Sequence, residues 1–131
     1  MAAPIVTALY ASLNGILNIV LAERVSAARR SGKVSIGTPD GAKELLLAAR
    51  IHGNNAEFVP LALVLMLIAE LCGGGSTPLH VWGGLLFVAR LMHVIGMRRP
   101  APNVFRVLGT GITWIGIVAV CGWLLYLRRG H

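Results

Sequence analysis

Residues 107–127 read VLGTGITWIGIVAVCGWLLYL, which is 21 positions without a charged side chain. About 20 residues of apolar helix suffice to cross a bilayer. Residues 4–22 form a second uncharged run, and residues 45–69 and 78–97 are comparable in length but interrupted by polar side chains. A backbone in lipid must satisfy its own hydrogen bonds, and this chain is short for a closed barrel. We therefore predict four transmembrane helices.

The composition also indicates an integral membrane protein. Hydrophobic residues make up 56% of the 131 positions and charged residues 13%, about half of the ~25% usual in soluble domains. The net charge is +7, but the bases stand in short clusters between apolar runs, unlike the basic face of a nucleic-acid binder. Two cysteines make neither a disulfide framework nor a metal site, so no metal is predicted.

The chain reads as one all-α domain, a four-helix bundle over residues 1–131. Polar and glycine- or proline-rich breaks separate the helices. We predict helices at about residues 4–28, 43–71, 78–98 and 104–128.

The distribution of Lys and Arg predicts the orientation of the bundle. The loops after the first and third helices carry most of the bases, whereas the N-terminus and the loop after the second helix carry none. Basic loops face the cytoplasm. We expect both termini on the periplasmic side of a bacterial inner membrane, although Arg128 and Arg129 oppose this assignment.

Charged side chains inside the second helix lie near one stripe. At 100° per residue Arg50, Asn54 and Glu57 share a face. An arginine at the centre of a membrane helix costs roughly 2.5–3.5 kcal/mol on insertion scales, so it needs a partner or a wet cavity. Arg50 and Glu57 are expected to compensate each other, whereas His52 and Asn55 point towards an interface between helices or subunits.

Two other helices carry polar residues at helical spacing. Arg90, His93 and Met97 share a stripe of the third helix, and Asn14 and Asn18 are one turn apart in the first. The fourth helix shows no polar line. Its small residues predict close packing, at Gly109, Gly111, Gly116 and Gly122.

A ligand site competes with a structural interpretation of these residues. One buried pair could merely fix helix register, and the asparagines could form hydrogen bonds that hold helices together. Several cations around one carboxylate favour a small molecule with carboxylates and an amine, because bases would clamp the carboxylates and Glu57 would meet the ammonium. His52 and His93 could also be haem ligands, but no other haem signal is present.

The string RIHGNNAEFVP, residues 50–60, resembles the MAPEG family, membrane-associated proteins in eicosanoid and glutathione metabolism. The family pattern is an Arg, an Asn four residues later, a Glu three beyond, then often an aromatic residue and a Pro. Every position is filled here. The resemblance continues at residues 28–30, at residues 89–91 and at Arg106.

This resemblance implies a homotrimer that binds glutathione as a co-substrate between neighbouring subunits near the cytoplasmic side. By position, Arg50, Asn54 and Glu57 would hold the peptide from one subunit. The neighbour would supply Arg29, His52 and the catalytic Arg106. In catalytic members such an arginine stabilises the thiolate, whose unperturbed thiol pKa near 8.5 must fall for attack at neutral pH. We add Arg90 and His93 to the expected glutathione-binding set.

The chain departs from the leukotriene-forming members at three tyrosine positions, which here are Phe58, His93 and Met97. The pattern is closer to the bacterial branch. We predict a membrane-bound glutathione-binding protein that acts as a transferase or peroxidase on hydrophobic electrophiles, with turnover left open. The alternatives are a non-catalytic lipid- or thiol-binding protein of the same fold and a small multidrug transporter. The transporter would need a carboxylate in the first helix, where this chain has Asn14 and Asn18.

Overall fold

The computed structural model describes residues 3–130 and contains four α-helices and a short 3-10 turn. No strand occurs between residues 3 and 130. Each α-helix is long and apolar enough to cross a membrane. The predicted all-α fold with four spanning helices is therefore confirmed. The elements are α1 Ile5–Gly32, α2 Lys43–Leu71, α3 Ser76–Met97, α4 Val104–Leu127 and the turn Arg128–Gly130.

Two helices extend beyond the bounds expected from the sequence. α1 continues to Gly32 instead of residue 28, because residues 28–30 are good helix formers and the first glycine after them is Gly32 itself. Lys33 adopts a left-handed conformation with φ 52°, and this conformation commonly closes a helix. α3 begins at Ser76, two residues before Pro78, since proline is tolerated in a first turn where its missing N–H has no intrahelical partner.

The helices run alternately up and down in two tightly packed pairs. α1 packs mainly on α2 and α3 mainly on α4, and α2 also contacts α3 and α4. In the described part of the chain no Cα atom of α1 lies within 8 Å of a Cα atom of α4. Four antiparallel helices place both termini at one end of the bundle and the two basic loops at the other.

The outer faces of α1 and α4 are apolar and uncovered. Ile16 and Ile19 of α1 are 66% and 69% exposed, and Ile115 and Val118 of α4 are 73% and 71% exposed. Exposed apolar surface is unfavourable in water by roughly 25 cal/mol per Å², so contiguous faces of this kind belong against lipid or another subunit. The chain is an integral membrane protein.

Glycines allow α3 and α4 to approach closely. A Cβ at Gly109 would overlap the backbone of Ala89 and His93, and one at Gly116 would overlap the Trp82 ring. Gly111 and Gly122, in contrast, have open space around them. The predicted packing role is therefore confirmed for Gly109 and Gly116, and within this chain it is not met for Gly111 and Gly122.

A carboxylate from α2 holds the first turn of α1 at the termini end of the bundle. Glu70 accepts hydrogen bonds from the backbone N–H groups of Val6, at 2.9 Å, and Thr7, at 2.8 Å. The N-cap of α1 makes no side-chain hydrogen bond, and its first turn holds no acidic residue. Glu70 thus supplies from another helix the negative group that a helix N-terminus favours.

Candidate functional site

A polar pocket of about 380 Å³ opens between α2, α3 and α4 in the half of the bundle nearer the basic loops. Its volume falls within the ~300–1,000 Å³ typical of small-molecule sites. We call it the cationic pocket. Its lining contains five of the predicted site residues, and in full it comprises Ala49, Arg50, Gly53, Asn54, Glu57, His93, Met97, Arg106 and Thr110.

α2 supplies one wall of the cationic pocket. The side chains of Arg50 and Glu57 are exposed and that of Asn54 is half-buried. The expected compensation between Arg50 and Glu57 is wrong, since the one ion pair formed by residues 3–130 joins Glu23 to Arg30. Arg50 and Glu57 are therefore free to meet charges of a ligand.

Arg106 enters the cationic pocket from the first turn of α4. Its backbone N–H donates to the side-chain oxygen of the N-cap Asn103, at 3.0 Å. The Asn103 amide group donates in turn to the carbonyls of Gly96, at 2.9 Å, and Pro100, at 3.1 Å. These bonds tie the start of α4 to the end of α3. Within one chain Arg106 already lines the same pocket as Arg50, although the resemblance placed it in the neighbouring subunit.

His93 forms the floor of the cationic pocket. Its side chain is 3% exposed, and its Nδ1 has no hydrogen-bond partner among the residues that the structure describes. A buried polar atom without a partner is costly and calls for an explanation. Because His93 lines the pocket, a ligand could supply the missing hydrogen bond.

Arg90 lies behind the pocket wall and does not line it. The side chain is 1% exposed, and its guanidinium donates to Asn54 at 2.6 Å, Asn55 at 3.2 Å and Thr113 at 3.4 Å. No carboxylate pairs with it among residues 3–130. The expectation of direct ligand contact is thus not met in the structure, because the neighbouring amides enclose the guanidinium.

The bonds of Arg90 belong to a polar network that reaches all four helices. Asn55 donates to the side-chain oxygen of Asn18 on α1, at 3.1 Å. The predicted interhelical roles of Asn18 and Asn55 are confirmed. Asn14 differs, because its amide group donates to the Tyr10 carbonyl of its own helix. We call Asn18, Asn55, Arg90 and Thr113 the four-helix network.

The structure corrects the prediction that the fourth helix has no polar line. Arg106, Thr110 and Thr113 of α4 all take part in the site or in the four-helix network. Thr113 donates its hydroxyl proton to the Gly109 carbonyl at 2.8 Å while it accepts from Arg90. A threonine does not by itself indicate a polar face, because its hydroxyl can donate to a backbone carbonyl of its own helix. The spacing of Arg106, Thr110 and Thr113 by four and three residues does place them on one face of α4.

Two predicted residues lie outside the cationic pocket of their own chain. Arg29 is half-buried and donates to the carbonyl of Gly37 in the loop after α1, at 2.9 Å. His52 is half-buried on α2 and is absent from the lining. Their expected contribution from a neighbouring subunit stays a prediction.

The charges of the pocket determine what it can hold. Arg50 and Arg106 lie on opposite walls, Arg90 adds a buried positive charge behind Asn54, and Glu57 is the one carboxylate of the lining. A ligand with more than one anionic group and one ammonium group would match this arrangement. Groups of three or more potential metal ligands do not occur within the described residues.

The fold and this site define a four-helix integral membrane protein with a cationic pocket at its basic end. The model of the MAPEG family matches residues 7–126. The chain belongs to the MAPEG family, as the motif in residues 50–60 indicated.

Curated relatives agree with this membership. The chain is 36% identical to inner membrane protein YecN of Escherichia coli K12 over 113 residues, which cover 86% of this chain and 85% of the relative. The protein of the same name from Escherichia coli O6:H1 gives the same values. No solved structure matches the chain.

Proposed function

We propose that this chain is a glutathione-binding protein of the bacterial inner membrane that acts as a glutathione transferase or peroxidase on hydrophobic electrophiles. The observation that carries the proposal is the cationic pocket, in which Arg50, Asn54 and Glu57 face Arg106 and His93. Glutathione has two carboxylates and one ammonium group. Membership of the MAPEG family adds support, because the family is known for glutathione metabolism. The name of the Escherichia coli relative supports the inner membrane.

The arrangement offers complementary partners for one carboxylate, the ammonium group and the thiolate of the ligand. Arg50 is placed to pair with a carboxylate, and Glu57, two turns along α2, is placed to accept from the ammonium group. Arg106 stands on the opposite wall, where a guanidinium would stabilise a thiolate and so lower the pKa of the thiol. His93 could donate to the ligand through the nitrogen that lacks a partner within residues 3–130.

Glutathione binding by the purified protein tests the proposal. At a ligand concentration of 100 dissociation constants, thermal or chemical unfolding should show ~2.7 kcal/mol of added stability. Arg50→Ala and Glu57→Gln should abolish most of that shift. The matched controls Arg24→Ala and Glu23→Gln, exposed on α1 away from the pocket, should retain it. A wild-type protein without any shift would refute the proposed function.

Catalysis is tested separately from binding. A generic aryl electrophile and a lipid hydroperoxide, each with glutathione, should give measurable turnover. Arg106→Leu should lower kcat more than it raises KM, because thiolate stabilisation counts towards the transition state. If the wild-type protein and Arg106→Leu bind glutathione equally and neither shows turnover, a non-catalytic binding protein is favoured.

The second candidate is a non-catalytic lipid- or thiol-binding protein of the same fold. An apolar groove of about 640 Å³ between α3 and α4, at the termini end, favours it because its walls include Trp82, Leu85, Ile115 and Trp123. The absence of the three family tyrosines at Phe58, His93 and Met97 points the same way. Co-purified lipid bound without any turnover would support this candidate.

The homotrimer implied by family membership is likewise a proposal. The uncovered apolar faces of α1 and α4 offer surface for neighbouring subunits. Native mass spectrometry of the protein released from nanodiscs should give three chains per particle. If a monomer binds glutathione with the same affinity as the assembled protein, glutathione binding does not require the trimer.

A further inference from the structure

The guanidinium of Arg90 dictates how two neighbouring amide side chains are turned. Arginine can only donate hydrogen bonds, so the atoms that it contacts on Asn54 and Asn55 must be the carbonyl oxygens. The structure has this arrangement, with 2.6 Å from a terminal nitrogen to Asn54 Oδ1 and 3.2 Å from Nε to Asn55 Oδ1. The orientation of both amides therefore follows from the chemistry of one buried side chain.

The consequence for the pocket concerns Asn54, which is a member of its lining. With its oxygen turned towards Arg90, the Asn54 amide has its NH₂ group on the other side, where it is available to donate to a ligand. We propose that Arg90 is a positioning residue that fixes the orientation of the Asn54 amide, so that its NH₂ group donates at this point of the pocket and selects a carbonyl or carboxylate oxygen of the ligand. The proposal rests on the glutathione-binding function proposed above.

The four-helix network explains why Arg90 remains in this position. Nε is held by Asn55, which is itself anchored to Asn18 at 3.1 Å, and another terminal nitrogen reaches Thr113 at 3.4 Å. With these contacts made on three helices, the remaining terminal nitrogen lies against Asn54. Burial of an arginine in an apolar bundle costs free energy. A role in orienting the Asn54 amide towards the ligand explains why an arginine stands at this position.

The same geometry makes the pocket strongly asymmetric in its hydrogen bonding. Arg50, Arg106 and the Asn54 amide group all donate, while Glu57 accepts. A ligand must therefore present acceptors to most of the lining and a donor to Glu57. Arg90 enforces this pattern without touching the ligand.

A pair of matched substitutions tests the proposal. Asn54→Asp and Asn55→Asp both keep an oxygen for Arg90 and both add one negative charge beside it, but only residue 54 lines the pocket. Asn55→Asp also loses the bond that Asn55 donates to Asn18, so the unfolding free energy of both variants is measured beside their affinity. Asn54→Asp replaces the donor with a carboxylate, so we expect glutathione affinity to fall about tenfold or more. Asn55→Asp should change it by no more than about threefold. Equal affinities in the two variants would overturn the proposal.

A double-mutant cycle distinguishes positioning from a merely structural role of Arg90. Arg90→Gln should weaken glutathione binding more in the wild-type background than in an Asn54→Ala background, because in the latter the influence that passes through Asn54 is already lost and only the loss of the buried positive charge remains. Equal losses in both backgrounds would overturn the proposal. If Arg90→Gln does not fold, the comparison of Asn54→Asp with Asn55→Asp still tests the proposal. A wild-type protein that binds no glutathione would refute the proposed function and this inference together, whereas wild-type binding with equal aspartate variants refutes the inference alone.

Discussion

Gly96 is the residue that lets Arg106 reach the cationic pocket. It is buried at the end of α3, where a Cβ would overlap the backbone of Arg106 at the start of α4. Its carbonyl also accepts a hydrogen bond from Asn103, the cap of α4. One position without a side chain therefore fixes the distance between two helices that carry site residues.

Gly96→Ala should lower the free energy of unfolding by about 1–3 kcal/mol, because the added methyl group forces α3 and α4 apart. It should also lower kcat, because Arg106 is moved away from the pocket. Unfolding in mixed detergent micelles measures the first effect and steady-state kinetics the second.

Gly111→Ala is the matched control, since Gly111 lies in α4 with open space around it. Alanine is favoured over glycine inside a helix by about 1 kcal/mol, so this variant should be unchanged or slightly more stable. Equal stability of the two alanine variants would contradict the proposed close approach at Gly96.

The first turn of α1 is held by the side chain of a residue in another helix. At its N-terminus the backbone donors of Val6 and Thr7 are satisfied by Glu70 of α2. Nearby, the Tyr10 hydroxyl donates to the His80 carbonyl of α3, at 3.0 Å. α1 packs on α2 and α3, and among residues 3–130 none of its Cα atoms lies within 8 Å of a Cα atom of α4, so these bonds and that packing hold α1 in place.

Glu70→Ala should destabilise the protein by about 0.5–2 kcal/mol, the usual effect of losing a helix cap. Hydrogen exchange at the Val6 and Thr7 amides should accelerate more than exchange in α3. Asp40→Ala, which removes an exposed acid from the loop before α2, is the control and should leave both measurements unchanged. Protection of Val6 and Thr7 that survives Glu70→Ala would show that packing alone secures α1.

At the scale of the whole molecule, the two ends of the bundle have different chemistry. The basic loops and the cationic pocket lie at one end, and both termini with the apolar groove lie at the other. The positive-inside rule assigns the basic end to the cytoplasm, which is where glutathione would be available to the pocket.

A reporter that is active only outside the cytoplasm tests this orientation. Fused after residue 131 it should be active, and inserted in the loop after α1, at residue 37, it should be inactive. The opposite pattern would place the pocket on the periplasmic side and would mean that Arg128 and Arg129 determine the topology. Accessibility of single cysteines introduced at the same two positions provides an independent measurement.

Much of this protein was determined by the sequence alone. Four spans follow from the hydrophobicity of local segments, and the stripe of Arg50, Asn54 and Glu57 follows from the 3.6-residue period of a helix. Both are properties of one segment at a time, so they need no knowledge of neighbours. The motif in residues 50–60 likewise led to the family.

The tertiary structure alone decided which polar residues meet. It placed Arg90 behind the pocket with Thr113, brought Arg106 to Arg50 within one chain, and set Glu70 on the first turn of α1. These contacts depend on how each helix is rotated and how closely it approaches its neighbour, which glycines such as Gly96 permit. Helical periodicity determines which residues share a face, but only the packing of the helices determines which residues of a neighbouring helix contact that face.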